Sequence, residues 1–388
     1  TSDAITTAAD GTCTAKLTDV GGGQLSNRNK ARNGEMKISQ RGTTFSPTTS
    51  DTYLIDGWMT QHGSAGNLDC TVTQSTDAPA GFTKSLKITP DSTQTPSGSQ
   101  NGMLAQRLEG QDLQDLAFGT SDAKPVTVSW YAKTSATGAG NYTVKVEYNS
   151  GSANYAVNKL FAFTTTWTRY TYTIPATGTA TSVGITDSQN LGFRVEYHLF
   201  AGPDDVHSQF TQWTSNPSPT YKVISGQKNF MDNTSNELYI TGLQIEVGDT
   251  ATSFEHKKIS DELRDCQRYY YQVGGQTNDG QPDEPYGVLL PMAMCASSTR
   301  VKGVLHHPVP MRTGPSVSGG GSGTAAIQQG DNTPNSTLVY QDIWNANNNA
   351  RYTWVDMSPN SGTISNVGES GIVYAYNSTY HFKVAAEL

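Results

Sequence analysis

The chain is short of the features that mark most enzymes and most nucleic-acid binders. Its four cysteines, Cys13, Cys70, Cys266 and Cys295, lie far apart with no C-x-x-C spacing, which excludes a zinc knuckle and a thioredoxin-type motif and leaves buried thiols as the expectation. No apolar run approaches the ~20 residues that cross a bilayer, and the N-terminus shows no basic stretch followed by a hydrophobic one. Membrane insertion is therefore not expected, and nothing signals export. Positive charge is scarce as well. Lys and Arg total 26 against 34 Asp and Glu, a formal charge of −8, which provides no field to hold a phosphate backbone, so nucleic acid is not an expected partner. The first residue is Thr1 rather than Met, and a piece of something longer is expected.

What remains is β-rich in character. With 38 Gly, 19 Tyr and 35% hydrophobic residues in 388, and with long runs of Thr, Ser and Asn, the composition suits short strands and polar turns. The length suits two domains. From Met36 to about Glu255 the chain breaks into alternating or β-branched runs separated by Gly, Pro, Asn and Ser, the pattern of an antiparallel sandwich. The clearest strands are Val126–Tyr131, Tyr142–Tyr148, Trp167–Ile174, Leu191–Tyr197 and Leu238–Val247. A long irregular insertion occupies 202–233, and loops of that length commonly carry function.

Helical spacing is clear once, from Ser260 to Val273, where Leu263, Cys266, Tyr270 and Val273 recur at three and four. Ser260 is positioned to cap this helix, Asp261 and Glu262 suit its dipole, and Gly274–Gly275 stops it. The resulting division is an extended lead-in over 1–34, a jelly-roll domain over 35–258, a linking helix over 259–274 and a smaller C-terminal β domain over 275–388. The last holds strands at Gly287–Leu305, Gly371–Tyr376 and Tyr380–Val384 around a Gly-rich loop at 319–323.

Several phrases in order carry a resemblance. They are Asn33 to Gly42 (Asn-Gly-Glu-Met-Lys-Ile-Ser-Gln-Arg-Gly), Tyr53 to Trp58, Val128 to Lys133 and Thr166 to Tyr170. Then follow Leu243 to Gly248 (Leu-Gln-Ile-Glu-Val-Gly), Ala251 to His256, and Glu262 to Tyr270 (Glu-Leu-Arg-Asp-Cys-Gln-Arg-Tyr-Tyr). Together they resemble bacteriophage tail-fibre and virion structural proteins that carry a jelly-roll domain similar to carbohydrate-binding modules, and the match spans roughly residues 33–271. Two departures stand out: Asp56-Gly57-Trp58 replaces an expected Asp-Arg-Trp, and 202–233 is longer than the compact pattern.

The resemblance implies a non-catalytic virion protein, made in a bacterial cytoplasm. It implies a homotrimer that attaches to other virion proteins through its N-terminal segment and presents one domain to a bacterial surface glycan or receptor. A capsid-attached fibre or decoration protein with a structural task is the first alternative, and a surface-polysaccharide depolymerase the second. No cofactor is implied, although jelly rolls of this style often hold a structural calcium, for which Glu35 and Glu246 are the candidates against a reading as surface carboxylates.

Sugar binding needs flat apolar faces beside planar polar groups. Trp213 in the insertion either meets ligand or packs down to hold its own loop. Trp344 and Trp354 flank an amide-rich stretch with Arg351 and Tyr352, where ligand binding and trimer packing are both open. Trp58, Trp130 and Trp167 are expected in the core. The dense carboxylates, Asp204–Asp205 and Asp279, Asp283 with Glu284, read as solvated turn residues rather than the paired acids of a glycosidase, and no G-x-S-x-G motif supports a hydrolase. The adjacent His306 and His307 should point to opposite faces of a strand, one packed and one wet.

Overall fold

The computed structural model describes residues 26–47, 51–63, 68–176, 183–215, 222–274, 287–320, 325–329, 334–342, 350–359, 363–364, 366–375 and 380–388, together with a short pair of strands, Ile5–Thr7 and Cys13–Ala15. The architecture is all-β, built of antiparallel sheets apart from one short parallel pair, Val206–His207 with Val223–Ile224. The chain divides into two compact units, Thr1–Lys258 with Leu388, and Ile259–Glu387.

The first unit is a jelly-roll sandwich of two sheets. One runs Thr214–Ser215, Asn154–Phe163, Gly140–Asn149, Leu191–Ala201, Asn101–Glu109, Trp58–Gly63, Thr52–Tyr53. The other runs Thr168–Ile174, Val126–Thr134, Leu238–Val247, Ser85–Pro90, Cys70–Ser75, Thr44–Phe45. Strand parity decides which side chains meet between them. Tyr142, Val144, Val146 and Tyr148 from one sheet and Val126, Val128, Trp130 and Ala132 from the other lie in a single core. Trp130 stacks on Tyr170 and meets Phe161 and Tyr197 edge-on, arrangements that aromatic quadrupoles favour.

Residues 29–33, expected in an extended lead-in, are part of this sandwich. Ala31 and Asn33 are fully buried, and the Asn33 side chain bonds Ile38 through both its donor and its acceptor and also donates to the Asp56 carbonyl. Lys30 N–H donates to the Ile245 carbonyl. The segment passes so close to the Leu238–Val247 strand that a Cβ on Gly34 would meet the Leu243 carbonyl oxygen at 2.3 Å. A polar, Asn-rich stretch reads as solvent-facing until its amides are seen to satisfy a buried turn.

The second unit has its own core around Leu290, Cys295, Val301, Val355, Val373 and Phe382. Six strands close into a barrel in the order Val288–Ser297, Arg300–His306, Tyr352–Pro359, Pro334–Asp342, Ala325–Gln328, Ser370–Ala375. A three-stranded sheet joins Tyr270–Gly274, His381–Ala385 and Ser316–Gly320.

Two expectations are corrected here. The helix is Ile259–Gln267, not 259–274, because Tyr270–Gly274 pairs with His381–Ala385 as a strand. Tyr270 and Val273 therefore serve a sheet, and Ser260 lies inside the first turn rather than capping it. Gly319 and Gly320 are strand rather than loop. They lie opposite Phe382 and His381, where a Cβ on Gly320 would meet the His381 ring at 2.4 Å. Cys70, Cys266 and Cys295 are buried, as the cysteine spacing led us to expect. Among the described residues no helix is long and apolar enough to cross a membrane.

Candidate functional site

On the Tyr352–Pro359 strand, Val355 and Met357 point into the barrel core while Trp354 faces outward, 44% exposed. Its cross-strand neighbours are fixed by register: Tyr352 lies opposite His306, Trp354 opposite Val304 and Asp356 opposite Lys302. Arg351 is exposed beside them, and the His306 and Tyr352 rings sit 6.4 Å apart. Asp356 is held by Arg300 at 2.6 Å. The barrel wall thus carries an open indole with a phenol two residues along the same strand face and an imidazole opposite that phenol. Two sequence candidates, Tyr352 and Trp354, share that face, and Arg351 is exposed just before the strand. Trp344 lies outside the described residues. His306 is exposed, whereas His307 turns inward, its ring nitrogens within hydrogen-bonding reach of the Tyr271 and Thr353 hydroxyls at 2.7 and 3.2 Å.

Trp213 takes the packing role. It is 2% exposed, with its ring edge-on to Phe118, Tyr148 and Phe193. No face of the indole is left for a sugar. The ring anchors the insertion, and described residues on either side of it bond the outer positions of the seven-stranded sheet: Phe210 N–H donates to the Asn158 side chain, Ile224 N–H to the Thr143 hydroxyl, and the Gln227 amide to the His198 carbonyl.

Beneath and beside the insertion sits an ionic network on strand positions that alternate with the core. Lys145 meets Glu147 at 2.7 Å and Glu196 at 3.7 Å, and Arg194 reaches the same two carboxylates at 2.8 and 2.5 Å. Lys145, Glu147, Glu196 and His198 are at most 2% exposed. Burial pushes the Glu196 carboxyl up, but Arg194, Lys145 and the His198 bond outweigh it and hold the group well below the usual carboxylate range. His198 Nε2–H donates to Glu196 at 3.0 Å, and burial holds the imidazole below its ordinary value, against the pull of Glu196. The acid of a glycosidase needs a carboxyl whose affinity for its proton is raised, and Glu196 is held in the opposite direction by its cations.

The other carboxylate expectations also shift. Asp204 is exposed, but Asp205 is buried and accepts from Asn101 at 2.7 Å, and desolvation raises its carboxyl. Asp279, Asp283 and Glu284 lie outside the described residues. Glu35 and Glu246 are buried rather than surface groups. Glu35 is paired with Lys37 and His256, while Glu246 accepts from Gln244 and from the Thr252 amide and hydroxyl. Carboxylates already surrounded by donors do not fit a calcium site, and among the described residues no cluster of three or more His, Cys, Asp or Glu could hold a metal.

Trp167 was expected in the core and is instead half-buried at the sheet surface, where its Nε1–H donates to Asp77 at 2.9 Å. The signal was present in the sequence. Tyr170, Tyr172 and Ile174 form the inward set of that strand, so strict parity puts Trp167 on the outer face with Arg169.

No protein-family model matches the chain, and no curated protein does. Among solved structures, it is similar to the enzymatically active domain of tailspike protein 4 from bacteriophage CBA120, at 10% identity and a TM-score of 0.30, over 56% of this chain and 21% of that one. It is also similar to the xylan-binding CBM22-1 domain of Xyn10C from Paenibacillus barcinonensis, at 14% identity and a TM-score of 0.25, over 54% and 94%. A third similarity is to the family 11 carbohydrate-binding module of a Clostridium thermocellum cellulase, at 10% identity and a TM-score of 0.26, over 54% and 99%.

Proposed function

We propose that this chain is a non-catalytic fibre protein of a bacteriophage particle that recognises a bacterial surface glycan, with the barrel of the second unit making the contact. The carrying observation is Trp354: an indole open to solvent on a closed, well-packed barrel wall, with Tyr352 two residues along the same face and His306 opposite Tyr352. A rigid aromatic face loses little conformational entropy on binding, and neighbouring polar groups supply the hydroxyl contacts. The non-catalytic reading draws support from the ionic network, whose two carboxylates are both tied to cations. Assembly as a homotrimer, attachment to the virion through the N-terminal segment and location on the extracellular particle belong to the same proposal and rest on the sequence resemblance.

The test is binding of the purified chain to host cells and to polysaccharide isolated from them, with light scattering to fix stoichiometry. Trp354→Ala should weaken saturable binding by about tenfold, the loss of one aromatic hot spot, without lowering thermal stability. Unchanged binding by that variant would remove the barrel from the proposal. Release of reducing ends from the polysaccharide would replace recognition with depolymerisation.

A further inference from the structure

The outer face of the six-stranded sheet carries a line of side chains that the barrel site does not involve. Lys133 lies directly opposite Tyr239, and Tyr239 opposite Lys87, on three adjacent strands. Trp167 immediately precedes Thr168, which faces Ala132, so its register position faces Lys133. In the other direction Lys87 faces Thr73, and Thr73 faces Thr44. The line runs across all six strands, about 24 Å at ~4.8 Å per strand.

Its groups are fixed before any ligand arrives. Asp77 accepts from Trp167 Nε1 and pairs with the Lys133 ammonium. That ammonium sits over the Tyr239 ring at 4.7 Å and the Trp167 ring at 5.5 Å, and the two rings meet edge to face, 6.1 Å apart. Glu237 pairs with Lys87 at 2.5 Å and accepts from the Tyr239 hydroxyl at 2.9 Å. Asp77 and Glu237 remain 43% and 35% exposed at the side chain.

Two ammonium groups and two carboxylates cancel, so the line offers no net charge to an ionic ligand. It does offer spare capacity. An ammonium has three donors and a carboxylate roughly four lone-pair sites, more than the contacts above use. A sugar hydroxyl both donates and accepts, and a pyranose presents C–H groups that an indole can cover.

We infer that this line is a second saccharide-binding subsite, taking a chain of neutral hexoses, with Trp167 as the platform, Asp77 and Glu237 as hydroxyl acceptors and Lys133 and Lys87 as donors. The inference rests on the glycan-recognition reading but places contact on a surface separate from Trp354.

The full chain labelled with 5-fluorotryptophan provides the test, because its six tryptophans give separable fluorine resonances that single Trp→Phe variants assign. The probes are neutral tetrasaccharides of glucose, galactose, mannose and N-acetylglucosamine. At least one should shift the Trp167 resonance saturably, with an affinity that holds as salt rises, since no net charge is engaged. Asp77→Ala and Glu237→Gln should each weaken that shift by about fivefold to tenfold, while thermal unfolding confirms that both fold. The inference is overturned if no probe moves Trp167, or if both variants bind like the parent. A shift confined to Trp354 overturns it and leaves the barrel site standing. A shift confined to Trp167 does the reverse.

Discussion

His198 shows how a single residue can tie stability to acidity. Its imidazole is buried beside Glu196, Lys145 and Lys222, and burial holds it below its ordinary value of 6.5. The unfolded chain therefore takes up a proton at this position before the folded chain does. Stability from this group is fully present above about pH 6.5 and is lost as pH falls toward the depressed folded value. Glu196 acts with the same sign in a lower window, because its folded value is also depressed. In His198→Gln the drop in melting temperature between about pH 7 and pH 5 should shrink, as read by calorimetry at a series of pH values. An unchanged drop would place the acid sensitivity elsewhere. None of this was legible from residue identities, since lysine and glutamate alternating with valine describe a wet face until something covers it.

At the scale of the element, period-two alternation carried most of the reading. It located the central strands of both sheets, including Val126–Thr134, Gly140–Asn149 and Leu238–Val247. It says which face a side chain takes but not what lies over that face. This is why the insertion's cover over Lys145 and Glu147 went unseen, and why Tyr270 and Val273 could be counted into a helix whose last turn ends at Gln267. Arg351, Tyr352 and Trp354 were singled out by an aromatic and amide-rich composition expected at a turn, whereas Tyr352 and Trp354 lie on a strand. Trp167 was legible only through parity. The Leu238–Val247 strand has one irregular step, where its pairing with Val126–Thr134 shifts between Thr241 and Gln244. Gly242 sits there at φ +65°, and a Cβ would meet the Phe82 and Tyr131 rings at 2.9 Å. Gly242→Ala should cost about 1–3 kcal/mol through the positive φ and the overpacked rings, measured as a shift in urea midpoint. A neutral result would show that the two rings move aside freely.

The described residues form two cores rather than one, and these share no buried residue. Unfolding should therefore not follow a single two-state transition. Calorimetry should resolve two, and Lys145→Met should lower only the transition of the first unit. That substitution removes one of the cations paired with Glu147 and Glu196, and breaking a buried ionic set of this kind costs about 3–5 kcal/mol. A shift of both transitions together would show that the units unfold as one. The division near residue 258 was visible in the sequence as the change from alternating runs to the helix, though the helix belongs to the second unit and opens it.

The barrel of the second unit has neither a first nor a last strand: Val288–Ser297 pairs with Ser370–Ala375 and completes the ring. An open sheet crowded beside its own copies offers unpaired amides and carbonyls onto which another copy can add a strand. Within the closed ring each strand has a paired neighbour on both sides, so the growth of one barrel into the next by backbone pairing has no starting point. Backbone pairing between copies is then left to the edges of the open sheets, and the barrel wall meets its surroundings through side chains alone.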